Sequence, residues 1–477
     1  MMRFLFVLLC LVFSCFTFAQ NNLVPIGSWQ THLPYTSSIS VADAGDLVYC
    51  ATGTSLYSFN KTDNSFQRLS TPAGFSDVGI RGIEFDSATQ TLVVAYTNSN
   101  LDFVFDKEIY NYPFIQSSAI SGDKNIYQVA FSGDTVLLSC GFGMVLFEVS
   151  TRESPATCFF TDATGANRRS NVSVVIDNQI YAATSAGLYS VAMNEPNIQD
   201  FSKWDSLSGT DGLPVGEVSL IEQFRQALYA VVGDTIYRYT DGTWTPFFQE
   251  ENWHSVDLFS DETYLIVSQR FGTNLPADSC RILLVDADDA VTEIVNDTQL
   301  RYLYQSVRDN NGTLWIADLY NSLLSYRDGQ YSSYAPNGPA TYKVQDMIVN
   351  NNILYVAPGE INASWNYQYN RDGFLVYDYG YWSAYNTFGN PILDTVYDFI
   401  SVEADQRNST VWFGSFGGGL LKYDRLANTM ELFKQGYLEN VPGDPTSYRV
   451  GGLALDSTYN LWISNFGAVN PITVRKA

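Results

Sequence analysis

The chain has 477 residues, with 26 Lys plus Arg against 50 Asp plus Glu, for a formal charge of −24. That balance argues against nucleic acid as a partner, because binding phosphates needs clustered cations; with only two histidines, a zinc site or relay built on several imidazoles is all but excluded. Nine Trp, 32 Tyr and 30 Phe in a chain that is 46% hydrophobic describe an acidic, aromatic-rich globular composition with ample material for a core.

In chain order, Arg3 precedes an apolar run over residues 4–18 that ends at Ala19, the layout of a cleavable signal peptide over residues 1–19. The run is shorter than the roughly 20 residues of a membrane-spanning helix, and no later segment approaches that length, so no transmembrane segment is expected and the mature protein should be soluble. A lipoprotein leader ending at Cys15 is the lesser alternative. Removing the leader leaves Cys50, Cys140, Cys158 and Cys280, too sparse for a disulfide scaffold. Small buried hydrophobes are the favoured reading over a Cys140–Cys158 bridge. Residues 26–32 resemble the outer strands at 242–246 and 380–384 yet precede any inner strand. They are expected to complete another blade and latch a ring, either the blade near residue 302 or one beyond the C-terminus.

From there a repeat organises the chain. Its clearest copies surround Asp309, Asp405 and Asp456: a strand, an Asp-led polar turn, and a second strand opening with Trp. Gly312 and Asn460 stand where a short hairpin tolerates positive φ. A large residue is followed two positions later by a small one, as in Trp315 and Ala317, Trp412 and Gly414, Tyr181 and Ala183, and Trp462 and Ser464. With a period of two, knob and hole share one face of the strand, which lets stacked sheets interdigitate. Units begin near residues 45, 81, 126, 172, 217, 255, 302, 344, 396 and 450, each reading as four short antiparallel strands. The predicted fold is therefore all-β, a β-propeller. Ten units exceed what one ring closes, so residues 23–340 are expected to form a seven-bladed ring and residues 341–477 an incomplete second ring, a truncated form of a longer protein.

The chemistry offered by this frame is thin. No Gly-x-Ser-x-Gly occurs; around Ser415 the first glycine is replaced by Phe413. The glycines at 417–419 lack a following Lys-Ser or Lys-Thr and read as a turn. Asp286 and Asp309 head turns with hard oxygen ligands, but neither has a calcium loop's spacing, and turn-stabilising hydrogen bonds are the preferred reading. Arg152, Arg168 and Arg169 are loop arginines that a sialidase-like site would need to converge. The expectation is no catalytic residue, no metal and no cofactor. The functional candidate is the insertion at residues 360–369, where Trp365, Tyr367 and Tyr369 alternate with polar residues and suit a sugar or a protein ligand, with an extended blade edge as the equal alternative; a second insertion spans residues 269–278.

The pattern Asp309-x-x-Gly312-x-Leu314-Trp315-Ile316-Ala317 is similar to the two-component-regulator type of propeller repeat. The leader, the segment at 26–35 and the segment at 47–59 together resemble the start of the PorZ family of the type IX secretion system. That resemblance implies two seven-bladed propellers and a C-terminal sorting domain, the latter not expected within these 477 residues. It also implies a non-enzymatic role at the periplasm or outer-membrane cell surface, with the sortase and other attachment-complex proteins as partners and lipopolysaccharide as a further one. It supplies no catalytic residues. A periplasmic sensor propeller of a two-component regulator is the alternative, and a polysaccharide-acting propeller enzyme a more distant one.

Overall fold

The computed structural model describes residues 27–105 and 108–477, so the expected signal peptide lies outside the described residues. Short runs of β-branched and aromatic residues alternate with polar turns and fold as strands. Helix is limited, among the described residues, to Phe114–Ser117 and three single 3₁₀ turns. The chain divides into two compact units, Pro34–Pro336 and a second containing Asn337–Ala477 together with the residues up to Leu33.

Pro34–Pro336 holds seven four-stranded antiparallel sheets, each made from consecutive strands. Their inner strands are Ser40–Ala44, Ile80–Asp86, Ile126–Ser132, Ser170–Ile176, Val218–Phe224, Trp253–Ser260 and Leu303–Arg308. Each inner strand packs on the next, and the seventh packs on the first, so the ring is a closed β-propeller. The core is correspondingly distributed as apolar clusters between neighbouring blades, such as Phe103, Val136, Phe142 and Phe147 between the second and third.

A repeated device stitches the inner strands. All but the first carry a register shift near their start, which takes one residue out of the ladder. A polar side chain on one inner strand then accepts a backbone N–H of the next. Ser40 Oγ takes Ile83 N at 3.2 Å, Gln128 Oε1 takes Ser173 N at 2.8 Å, Asp257 takes Ser306 N at 3.1 Å, and Gln305 Oε1 takes Val41 N at 3.0 Å. The last of these closes the ring. Beside it Tyr57 donates to the Tyr334 carbonyl at 2.8 Å, and the Lys61 ammonium, held by Asp43, pairs with Asp309 at 2.9 Å.

The second unit contains the blade Asp346–Asn350, Ile353–Ala357, Phe374–Asp378, Tyr381–Tyr385, the blade Phe399–Ala404, Thr410–Gly417, Gly419–Asp424, Thr429–Phe433, and the strands Tyr448–Leu455, Leu461–Asn465 and Ile472–Arg475. The same stitch recurs, with Asp346 accepting Val402 N at 2.9 Å. Phe416 pairs with Arg449 and Gly417 with Tyr448, running one sheet into the next.

The expected latch differs. Residues 27–33 form no strand, and the blade opening at Leu303 is completed by its own fourth strand, Gln330–Tyr334. His32 instead sits edge-on to Tyr377 at 4.9 Å and to Trp382 at 5.5 Å, and its Nδ1 accepts the Trp382 indole N–H at 3.0 Å. A blade with four strands of its own has no ladder place to offer, whereas two aromatic faces gain from apolar cover. The four described cysteines are buried free thiols, and burial pushes Cys50 and Cys280 up to about 11.

Candidate functional site

The insertion lies between Ile353–Ala357 and Phe374–Asp378 and is held by side chains rather than by a ladder. The Asn362 carboxamide accepts N–H bonds from Ser364 at 3.0 Å and Asn366 at 2.9 Å, and Ile361 bridges Tyr367. This leaves Trp365 at φ +55, where the matching turn at Asp162 places Gly165 at φ +82. A bulky residue in the left-handed region costs backbone energy that the surrounding structure must supply. Further on, the buried Asp398 carboxylate accepts three successive N–H groups, from Gln368, Tyr369 and Asn370, each at 2.9 Å. Burial raises the Asp398 carboxyl and these bonds oppose the rise.

So fixed, the three sequence candidates meet residues from the following strands. Trp365 stacks on Phe466 at 4.9 Å and 12°, and Tyr369 lies 5.1 Å from Tyr397. Tyr367 is edge-on to Tyr397 at 5.4 Å, and the Arg449 guanidinium lies 4.4 Å over its ring. Such a cation over a ring is worth about 0.5–2 kcal/mol. The three are not equivalent. Trp365 is 44% exposed and Tyr369 61%, so both present open faces. Tyr367 is half-buried, and its hydroxyl takes a bond from Arg449 Nη2 at 2.8 Å and shares one with Ser447 at 3.1 Å, which makes it the post that positions the others. Burial pushes the Tyr397 hydroxyl up to about 12, leaving it a protonated donor at neutral pH. The cluster offers flat aromatic faces and one cation, the equipment of recognition.

Arg449, Tyr397, Phe416 and Phe466 escaped the sequence reading. A signal existed: Phe416 and Phe466 stand at the same offset after the repeat tryptophans Trp412 and Trp462.

The remaining candidates separate. Asp309 and Asp456 use one carboxylate oxygen for turn N–H groups and the other for the indole N–H of Trp315 at 2.9 Å and Trp462 at 3.0 Å. Asp286 likewise accepts from Asp288 N and Ala290 N. Among the described residues no group of three or more His, Cys, Asp or Glu is placed to hold a metal ion. The Ser415 hydroxyl is buried and donates to the Tyr397 carbonyl. In the second insertion Asn274 donates to Asp278 at 2.9 Å and Ala277 N to the Arg301 carbonyl at 3.2 Å. Arg152 stacks on Tyr110 at 4.1 Å in a hairpin at one end of its blade, while Arg169 pairs with Glu217 at 2.6 Å at the other, so the loop arginines do not converge.

Residues 48–205 match the family model for the TSS9, PorZ, N-terminal beta-propeller domain. No curated protein matches the sequence. Among solved structures the chain is similar to PorZ of Porphyromonas gingivalis, described as an essential bacterial surface component of the type-IX secretion system. The two are 18% identical with a TM-score of 0.78, over 94% of this chain and 59% of that one. It is also similar, at 12% identity and a TM-score of 0.47 over 93% of this chain and 59% of that one, to the extracellular domain of BT3049 from B. thetaiotaomicron, described as a hybrid two component system. The chain thus spans about three fifths of the length of the PorZ structure. No helix among the described residues is long and apolar enough to cross a membrane. Pro34–Pro336 is thus a closed β-propeller of seven blades, within which residues 48–205 are similar to the PorZ N-terminal propeller domain.

Proposed function

We propose that this chain is a non-enzymatic scaffold of the type IX secretion system, exported across the inner membrane to the periplasm or the outer-membrane cell surface. There it works with the sortase and other attachment-complex proteins that join exported cargo to lipopolysaccharide. The match of residues 48–205 to the PorZ propeller domain carries this reading. Its mechanism is presentation: rigid blades hold loops that dock a partner, and no bond is made or broken. The open faces of Trp365 and Tyr369, set by Tyr367 and Arg449, form the docking surface. Affinity isolation of the full-length protein from its native envelope tests the reading. Recovery of a sortase, reduced several-fold by a Trp365→Ala, Tyr369→Ala variant, is the expected outcome. Recovery of an inner-membrane kinase instead would move the chain to a sensor role, and turnover in a glycan screen would make it an enzyme.

A further inference from the structure

A second recognition site lies in the closed ring. Its seven inner strands begin at one end of the central channel, so their opening residues gather around one mouth. In the second to seventh blades the residue taken out of the ladder is there: Arg81, Tyr127, Asn171, Ser219, Val256 and Tyr304. A bulge at a rim re-aims its side chain away from the pleat, here to the mouth of the ring.

Arginines interleave with tyrosines around this mouth. Arg81 and Arg169 both lie 5.1 Å from the Tyr127 ring, and Arg270 lies 4.1 Å from Tyr302 and 5.3 Å from Tyr304. The arc continues across the first blade: burial and the neighbouring Tyr302 raise the Tyr304 hydroxyl, while the positive charges of Arg270 and Arg81 both pull it down. Acids reach the arc as well, and Asp318 accepts the Tyr302 N–H at 2.8 Å. Glu217 neutralises Arg169 at 2.6 Å, and Asp123 accepts the Tyr127 hydroxyl at 2.7 Å. Arg81 and Arg270 take no carboxylate partner within 4.0 Å among the described residues, and Arg270 Nε is buried without a hydrogen bond.

We propose that this mouth binds an oxyanion, of the carboxylate or phosphate class, between Arg81 and Arg270, with the tyrosine rings holding both guanidinium groups in place. A guanidinium held over a ring keeps its fork of N–H donors for a planar or tetrahedral anion, a geometry that a lysine does not match.

Calorimetric titration of the full chain with inorganic phosphate and, separately, with a tetraglutamate peptide tests this. Saturable binding of at least one is expected, with affinity falling as salt rises. Arg81→Gln should weaken it several-fold and Arg81→Gln, Arg270→Gln at least tenfold. Arg152→Gln, at the far end of its blade, should leave it unchanged. Arg81 is exposed, so its single variant reads binding without loss of fold. Phosphate alone binding assigns the site to phosphoryl groups, and peptide alone to acidic side chains. Binding of neither, equal binding by the double variant, or equal loss in Arg152→Gln overturns the proposal. Because the site and its variants lie in Pro34–Pro336, its failure would be independent of the docking surface at Trp365.

Discussion

Asp309 concentrates four hydrogen bonds in one carboxylate. It closes the repeat turn through Asn311 N and Thr313 N, fixes Trp315, and receives Lys61 from the first blade. Burial pushes its carboxyl up, but the Trp315 and Lys61 hydrogen bonds outweigh that and hold it below the usual range. A depressed carboxyl contributes stability that is present above its unfolded pKa and is lost as pH falls through the folded value. Asp309→Ala leaves the Trp315 indole N–H without an acceptor and removes one of the two carboxylates on the Lys61 ammonium, so a loss of about 2 kcal/mol is expected in urea unfolding at pH 7. A loss below about 1 kcal/mol would show that the ring closes without this carboxylate.

At the scale of the strand, the large-then-small pattern has a concrete meaning at Gly414. A Cβ there would stand 2.5 Å from Val450 Cγ1 and 3.1 Å from Val450 Cβ, because the next inner strand fills the space that the missing side chain leaves. Trp412 packs in the same cluster with Val450, Leu461 and Ile463. Gly414→Val is expected to lower stability by about 1–3 kcal/mol through overpacking, read as a lower urea midpoint with unchanged slope. Ala317, buried at the same offset from Trp315, already carries the methyl, which shows that the hole differs in depth from blade to blade.

Across the whole ring, three carboxylates line the channel: Glu84 and Glu222, and Asp257, which also makes a seam. Burial, with the neighbouring Asp257, Glu222 and Asp86, pushes Glu84 up to about 8, and burial pushes Glu222 and Asp257 up to about 7. Between the ordinary carboxyl range and pH 8 the folded ring therefore binds more protons than the unfolded chain, and stability falls as pH rises through that window. The urea midpoint should be higher at pH 5.5 than at pH 8.5, and Glu84→Gln should shrink the difference by stabilising the protein at the higher pH. A midpoint that is level or rises between the two would contradict this assignment.

Much of this was legible in the sequence because a blade is a local object. The strands, the Asp-led turns and the tryptophans all follow from residues within one repeat, where side-chain alternation and turn chemistry leave little choice. The chain order Trp365, Tyr367, Tyr369 marked an aromatic loop for the same reason. What closes around that loop was not legible, since Tyr397, Phe416, Arg449 and Phe466 arrive from other strands and only packing brings them within ring contact. A latch on the blade near residue 302 failed as a sequence inference for a related reason: likeness to an outer strand says what a segment could pair with, while that place was already filled by Gln330–Tyr334. The sequence by itself thus determined the repeat and the fold class, which depend on composition and short-range order. Only the tertiary structure decided which blade meets which, where the seams run, and that Arg81 and Arg270 share one mouth, because those depend on how a ring closes over distances that no local pattern spans.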